Sequence, residues 1–420
     1  MNLPSNSVVV FHPGKQHAYQ VVLALQRAGL LHCFVTGIYF KPRTFPYKLV
    51  RRLPHGSRGR IEGELQKRYL KELENDRIIS IPYFEALSRL IGRIQPLMTM
   101  TEGHEYLLNS WLSDYYISHW IKRCRPKPAM LYGFIGSALR SFPAAKQLGI
   151  VTVLDVPITL HALSIMAQEK QKLGMKTRYK EIGPRLLNEV RMADYIITPS
   201  EAVAESVVDY GVVPSKVKII PFGVDVSQFQ AQKTNQEVTS RKFRVLFVGK
   251  FDLRKGIHHL LESWQQLALP ESELIVVGPP GEVNFVSTMR TKYAGQFIER
   301  GNVPHSQLPE LFAQADLFVF PSLAEGSALV TYEALSSGLP CIVTHEAGSV
   351  VRDGIEGFVV PTGDIQTLAE RISQLYYDKQ LRERMGVAAR QRAEEFTWER
   401  YHTKLVDTLH HVSRVNSGKK

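Results

Sequence analysis

Cysteine is scarce in this 420-residue chain. Cys33, Cys124 and Cys341 lie far apart and form no CxxC pair, which leaves no disulfide framework or cysteine-based metal site and points to a reducing compartment. No apolar run approaches the roughly 20 residues that span a bilayer. The opening MNLPSNSVVVFHPGK has no basic region followed by a long apolar stretch, so no secretory signal is read from it. GxxxxGK[ST] is absent, which removes a Walker-type phosphate loop. No DxD motif falls on a predicted loop, which weakens a metal-dependent reading of any phosphate chemistry. Recognisable nucleic-acid-binding motifs are missing as well, although the net charge is +12.

That charge is unevenly placed. Residues 1–210 carry 28 Lys and Arg against 17 Asp and Glu, whereas residues 211–420 carry 24 against 23. Much of the excess lies in KPRTFPYKLVRRLPHGSRGR (41–60), which has seven basic residues and no acid. Such a run is read as a solvated face, as a contact with an anionic membrane surface, or as a seat for an acidic acceptor.

Both halves share one grammar. SVVVFHPGKQHAYQVVLALQRAGL (7–30) reads as strand, turn at Pro13-Gly14, and helix. FRVLFVGKFDLRKGIHHLLESW (243–264) reads as strand to Val248, loop, and helix from about Gly256. Short apolar strands alternating with amphipathic helices predict parallel sheets with crossover helices. The runs VLFV, LIVVG, DLFVFP and CIVT suit strands covered on both faces. ADYIITPS (193–200) and ADLFVFPS (315–322) echo one another, each ending a strand with Pro-Ser. The polar stretch 226–242 marks a boundary, FTWERYHTKLVDTLHHV (396–412) reads as a helix, and the last eight residues as a frayed tail. HEYLLNSWLSDYYISHWIKRC (104–124) reads as an aromatic-rich helix whose stripe faces the core.

Ligands of open α/β sheets bind beyond the carboxyl ends of the strands, so the residues after each strand matter most. After RVLFV comes GKFDLRKG (249–256), where Lys250, Arg254 and Lys255 gather beside a predicted helix start. That combination suits a phosphate or diphosphate. After DLFVF comes PSLAEGSALVTYEALSSGLP. A helix from about Ser327 to Ser337 would leave free amides near Ala328, Leu329 and Val330, with Glu325 just outside its start and Glu333 one turn in. Glu325 in such a place has a bland reading, complementing the helix dipole, and a chemical one.

VGKFDLRKG, ADLFVFPSLAEGSALVTYEALSSGLPCIVT and RDGIEGFVVPTGD resemble the nucleotide-sugar half of the family 4 glycosyltransferases of the GT-B fold. The Glu325–Glu333 spacing reproduces that family's E-x7-E motif, and IIPFGVD (219–225) resembles its interdomain signature. The likeness runs over residues 190–400. In the first half it covers only the strand-turn-helix start and LDVPITLH (154–161). It implies two Rossmann-like domains facing across a cleft: an acceptor-binding domain (1–225), a nucleotide-sugar-binding domain (226–395), and a C-terminal helix and tail (396–420) packing back on the first. It also implies a retaining, metal-independent hexosyltransferase of polysaccharide or glycolipid synthesis, using a nucleoside-diphosphate sugar and no cofactor. Its acceptor would be an unidentified glycan, lipid or small molecule, and its place the cytoplasm or the inner membrane face.

Residue by residue, the resemblance assigns Lys255 to the diphosphate, with Lys250 and Arg254 beside it. Glu325 goes to the donor sugar and Glu333 to the ribose hydroxyls. Gly326, Ser327, Ala328, Leu329 and Val330 form the helix start that meets sugar and phosphate, and Val303 lies where the backbone contacts the base. In the first half it assigns Gly14 to the loop beneath the phosphate and His161 to the donor sugar, with Asp155 competing for the same slot. The expected catalytic set is therefore Glu325, His161 and Lys255. His12 and His17 read as histidines of a surface loop, and Ser137 or Arg140 as groups within reach of an acceptor. Two other readings are a GT-B isomerase, which lacks this E-x7-E helix, and a catalytically silent sugar- or membrane-binding protein of the same fold.

Overall fold

The structure, a computed structural model, describes residues 6–14, 17–41, 44–45, 47–52, 54–94, 104–177, 181–229 and 242–417. Lys15 and most of the predicted boundary stretch, residues 230–241, lie outside the described residues. So do parts of the basic run 41–60.

Runs of Val, Ile, Leu and Phe build two sheets. The first contains β1 (Val8–His12), β2 (Leu31–Thr36), β3 (Ile78–Ser80), β4 (Met130–Phe134), β5 (Val151–Asp155), β6 (Tyr195–Thr198) and β7 (Val217–Ile219), in the order β3-β2-β1-β4-β5-β6-β7. The second contains β8 (Phe243–Val248), β9 (Ser272–Val277), β10 (Ile298–Gly301), β11 (Leu317–Phe320), β12 (Cys341–Thr344) and β13 (Gly357–Val360), in the order β10-β9-β8-β11-β12-β13. Every strand pairing within the two sheets is parallel. Strand order reverses between β1 and β4 in one sheet and between β8 and β11 in the other. These switch points are where open α/β sheets bind ligands.

Parallel strands need helices on both faces, which explains why β8, β11 and β12 carry almost no polar residue and are buried. The sequence echo has a structural counterpart. Asp194 accepts the Thr152 amide (2.9 Å) and Asp316 accepts the Arg244 amide (2.9 Å), so each aspartate ties its own strand to the neighbouring one at the same level.

The chain crosses between the sheets at IIPFGVD and returns at Phe396-Thr397. The two crossings pair: the Val224 amide donates to Phe396 O (2.9 Å), and Val224 forms a parallel bridge with Thr397. Gly223 permits this approach, since a Cβ there would sit 2.4 Å from the Trp398 amide. The final helix, Trp398–Ser417, extends further than the sequence suggests and takes up much of the predicted tail. Its Tyr401, Leu405, Leu409 and Val412 join the core of the first sheet, alongside residues of β1 and β4.

Leu405 is fully buried there. We expect Leu405→Ala to lower the unfolding free energy by about 2–5 kcal/mol, measured by chemical denaturation. Substituting its exposed neighbour Lys404 by Ala should change it by less than about 0.5 kcal/mol.

Candidate functional site

The loops after β8 and β11 flank the switch point of the second sheet. After β8 the Asp252 carboxylate accepts the Lys255 amide (3.1 Å), winding Leu253–Lys255 into one 3₁₀ turn. Gly256 follows with φ of 68°, and a Cβ there would lie 1.8 Å from Pro321 O. Only glycine lets the two loops touch in this way. The contact carries both cations to one carboxylate: Arg254 Nη1 and Lys255 Nζ lie 2.8 Å and 2.5 Å from Glu325 Oε1. The Ser322 hydroxyl donates to the same oxygen (3.3 Å), and Arg254 also donates to Ala324 O (3.0 Å). Glu325 and Lys255 are largely withdrawn from water. Each charge there relies on the other, and removing one strands its partner in a poorly solvated place.

The next peptide is held from both domains. The Ser200 hydroxyl donates to Gly326 O (2.5 Å), and the Thr159 amide donates to Glu325 O (3.3 Å). A Cβ on Gly326 would lie 1.5 Å from Pro157 O. On its own side, the Glu325 amide donates to Glu346 O (2.9 Å) and the Ala328 amide to Ala347 O (3.1 Å). The expectation of a free amide at Ala328 is therefore corrected: the backbone of residues 345–348 takes it up. The helix begins at Leu329 and ends at Ser336. Its Leu329 and Val330 amides make none of the described hydrogen bonds. Ser327 is buried with its hydroxyl 2.7 Å from that of Tyr332.

Glu333 turns toward the loop after β10. Its Oε1 lies 2.8 Å from His305 Nε2, and the hydrogen bond raises the His305 pKa above the ordinary histidine value. The His305 ring also meets Phe229 edge-on, at 5.8 Å. Val303, two residues earlier, packs against the core of the second sheet. Lys250 is half exposed, 4.0 Å from Asp252. It borders a cleft of about 720 Å³ that also touches Arg254, Gly281 and, from the first domain, Met166 and Lys170. A larger hollow of about 980 Å³ lies around Ala315, Asp316 and Pro340, ahead of β11 and β12. That is the amino end of the strands, opposite the end where such sheets bind ligands.

In the first domain the histidine expectations change. His12 is buried and the His17 side chain is largely covered, so neither stands on an open surface loop. The turn after β1 folds inward because Asp155, buried at the end of β5, offers an acceptor: His17 Nε2 lies 2.9 Å from Asp155 Oδ2. The Tyr132 hydroxyl donates to the same carboxylate (2.5 Å), and burial pushes that phenol well up. The Gly14 amide donates to His12 Nδ1 (2.8 Å). His161 stands at the start of the helix Ala162–Lys172, with Nε2 3.0 Å from Asp209 and its ring beside Tyr210. Its described ring contacts do not include Glu325. Ser137 is buried and donates to Phe134 O (2.9 Å), while the Arg140 guanidinium lies 5.0 Å from the Trp111 ring. Three residues at this site were missed as such from sequence: Ser200, Ser322 and His305. The two serines end the echoed octapeptides, and His305 follows a strand, so position held the signal for all three.

Two outcomes follow from this geometry. Gly326→Ala should force the Pro157 and Gly326 backbones apart, and we expect a loss of about 1–3 kcal/mol in stability, read by thermal or denaturant unfolding. For His305 the folded pKa is raised, so its ionic pairing with Glu333 is fully present below about pH 6.5 and fades as pH rises through the raised value. An NMR titration of His305 should therefore have its midpoint above the free-histidine value, and Glu333→Gln should bring it down.

Comparison with known proteins bears on the whole arrangement. Residues 228–392 match the family described as Glycosyl transferases group 1, and residues 103–228 match Glycosyltransferase Family 4. Sulfoquinovosyl transferase SQD2 of Arabidopsis thaliana is 29% identical over 229 residues, 51% of this chain and 44% of that protein. The match thus spans less than half the plant protein's length. The capsular polysaccharide biosynthesis glycosyltransferase CapM of Staphylococcus aureus is 26% identical over 263 residues, 59% of this chain and 69% of its own. Among solved structures, Anabaena Alr3699/HepE in complex with UDP and glucose superposes with a TM-score of 0.62 at 16% identity, covering 97% of this chain and 100% of that one. Sucrose-phosphate synthase of Thermosynechococcus elongatus gives 0.66 at 18% identity, over 98% and 100%. Two parallel sheets of one strand order, the loops that join at Glu325 and the two contiguous family matches agree, and the chain belongs to the family 4, group 1 glycosyltransferases of the GT-B fold.

Proposed function

We propose that the protein is a retaining glycosyltransferase. It moves a sugar from a nucleoside-diphosphate sugar, held by the second domain, to an acceptor held by the first. The observation that carries this reading is the joining of Arg254 and Lys255 to Glu325 at the switch point of the second sheet. Departure of a nucleoside diphosphate builds negative charge on its β-phosphate, and fixed cations beside it stabilise that transition state more than the ground state. Lys255 and Arg254, with Lys250 at the cleft edge, supply that charge, so the transfer needs no divalent ion. The Leu329 and Val330 amides add two donors at a helix start.

Glu325 lies beside the transferred sugar in this reading, already oriented by three donors. Glu333 receives the ribose hydroxyls, and the backbone near Val303 meets the base. UDP is the first nucleotide to test, since HepE was solved with it. The basic run 41–60 favours an anionic or membrane-borne acceptor and a place at the cytoplasmic membrane face. Phe45 and Leu49 expose apolar surface within the same run. Among the described residues no helix is long and apolar enough to cross a membrane.

A thermal-shift screen of UDP, GDP and ADP with their sugars should show stabilisation by one nucleotide class. Lys255→Ala and Glu325→Gln should each then lower transfer, or slow donor hydrolysis, by about 100-fold or more. Unchanged turnover in both variants overturns the site. Nucleotide stabilisation with neither transfer nor hydrolysis in the wild type moves the protein to the silent class.

A further inference from the structure

Three buried side chains meet where the domains touch, and the transfer reaction uses none of them. Glu169 projects from the Ala162–Lys172 helix of the first domain. His258 and His259 lie in the first turn of the Ile257–Leu267 helix of the second, directly after Gly256. Glu169 Oε1 lies 3.0 Å from both Nε2 atoms, and the two ring centroids are 3.9 Å apart. All three side chains are more than nine-tenths buried. Both Nδ1 atoms are buried as well, with no hydrogen-bond partner among the described residues.

As a purely hydrogen-bonded unit this cluster is poorly satisfied. One carboxylate oxygen serves two ring N–H groups, and two further ring nitrogens have nothing. Three ligand-type atoms from two helices gathered about one point form a preassembled donor set, to which the two Nδ1 atoms do not contribute.

We propose that Glu169, His258 and His259 form a binding site for a divalent ion of the zinc class that joins the two domains. Their three ligand atoms lie within 4.8 Å of one another. Tetrahedral bonds of about 2.0–2.1 Å place ligand atoms about 3.4 Å apart. The two carboxylate–imidazole spacings of 3.0 Å then open by only a few tenths of an ångström when the metal replaces the two Nε2 protons. Two imidazoles and one carboxylate suit zinc, nickel or copper better than magnesium or calcium. The other carboxylate oxygen, now 3.0 Å from the well-exposed Lys172 ammonium, or a water completes the set. The positive end of the histidine-bearing helix works against a cation there, and the ionised Glu169 offsets it. His258 and His259 follow Lys255 by three and four residues, so the ion would fix the cationic turn against the first domain. It would take no part in the chemistry itself.

The full-length protein should be stripped with chelator, dialysed, and titrated with zinc, following bound metal per chain and thermal unfolding. We expect one equivalent to bind at micromolar zinc with a rise in melting temperature. His259→Gln and Glu169→Gln, confirmed folded by circular dichroism, should each weaken binding at least tenfold. Cobalt should give visible absorption bands of a tetrahedral site in the wild type and not in the variants. His411→Gln, on the final helix away from the cluster, should bind as the wild type does. Failure of the wild type to take up zinc at tens of micromolar overturns the proposal, as does unweakened binding by the folded variants.

Discussion

One pair of residues, Glu325 and Gly326, is where the two halves of this molecule become one. Their two carbonyls accept from the first domain at Thr159 and Ser200, the Glu325 amide donates within the second, and the Glu325 side chain gathers Arg254 and Lys255. Contact is so close that Gly326 has no room for a Cβ against Pro157. A charged group placed this way cannot drift independently of either sheet. The geometry of the cationic turn is thus set by the packing of the whole chain and not by the local loop alone.

The echoed octapeptides show how a repeated local rule serves that junction. Ser200 and Ser322 each end a strand, and they converge on neighbouring residues: one on the Gly326 carbonyl, the other on the Glu325 carboxylate. The Ser322 proton is shared with Arg254 O (3.0 Å), a second tie between the loops after β8 and β11 besides the contact at Gly256. The aspartates that open the two echoes serve equally matched structural roles. The two sheets therefore present the ends of the two echoed strands, β6 and β11, to one point.

The sheets were legible in the sequence because strands buried on both faces must be apolar throughout, and VLFV, DLFVFP and CIVT can be little else. Lys255, Glu325 and Glu333 were legible as candidates by spacing and by resemblance. Many of the pairings across the chain were not. His17 meets Asp155 across 138 positions and Glu333 meets His305 across 28. No local pattern announces pairs that only the sheet order brings together. The Ala328 amide escaped for a related reason: its acceptor, Ala347, comes from the turn after β12. Such contacts are products of tertiary packing, and single-sequence periodicity carries no trace of them.

The paired crossings at Val224 and Phe396–Thr397 have a mechanical consequence. Two polypeptide strands that run side by side and are hydrogen-bonded to each other act as a strap of double width. A single linker would allow the domains to swivel about its axis, whereas a strap resists twist and leaves one soft direction, bending across its width. Any relative motion of the domains that the strap permits is confined to that one direction, across the width of the paired segments.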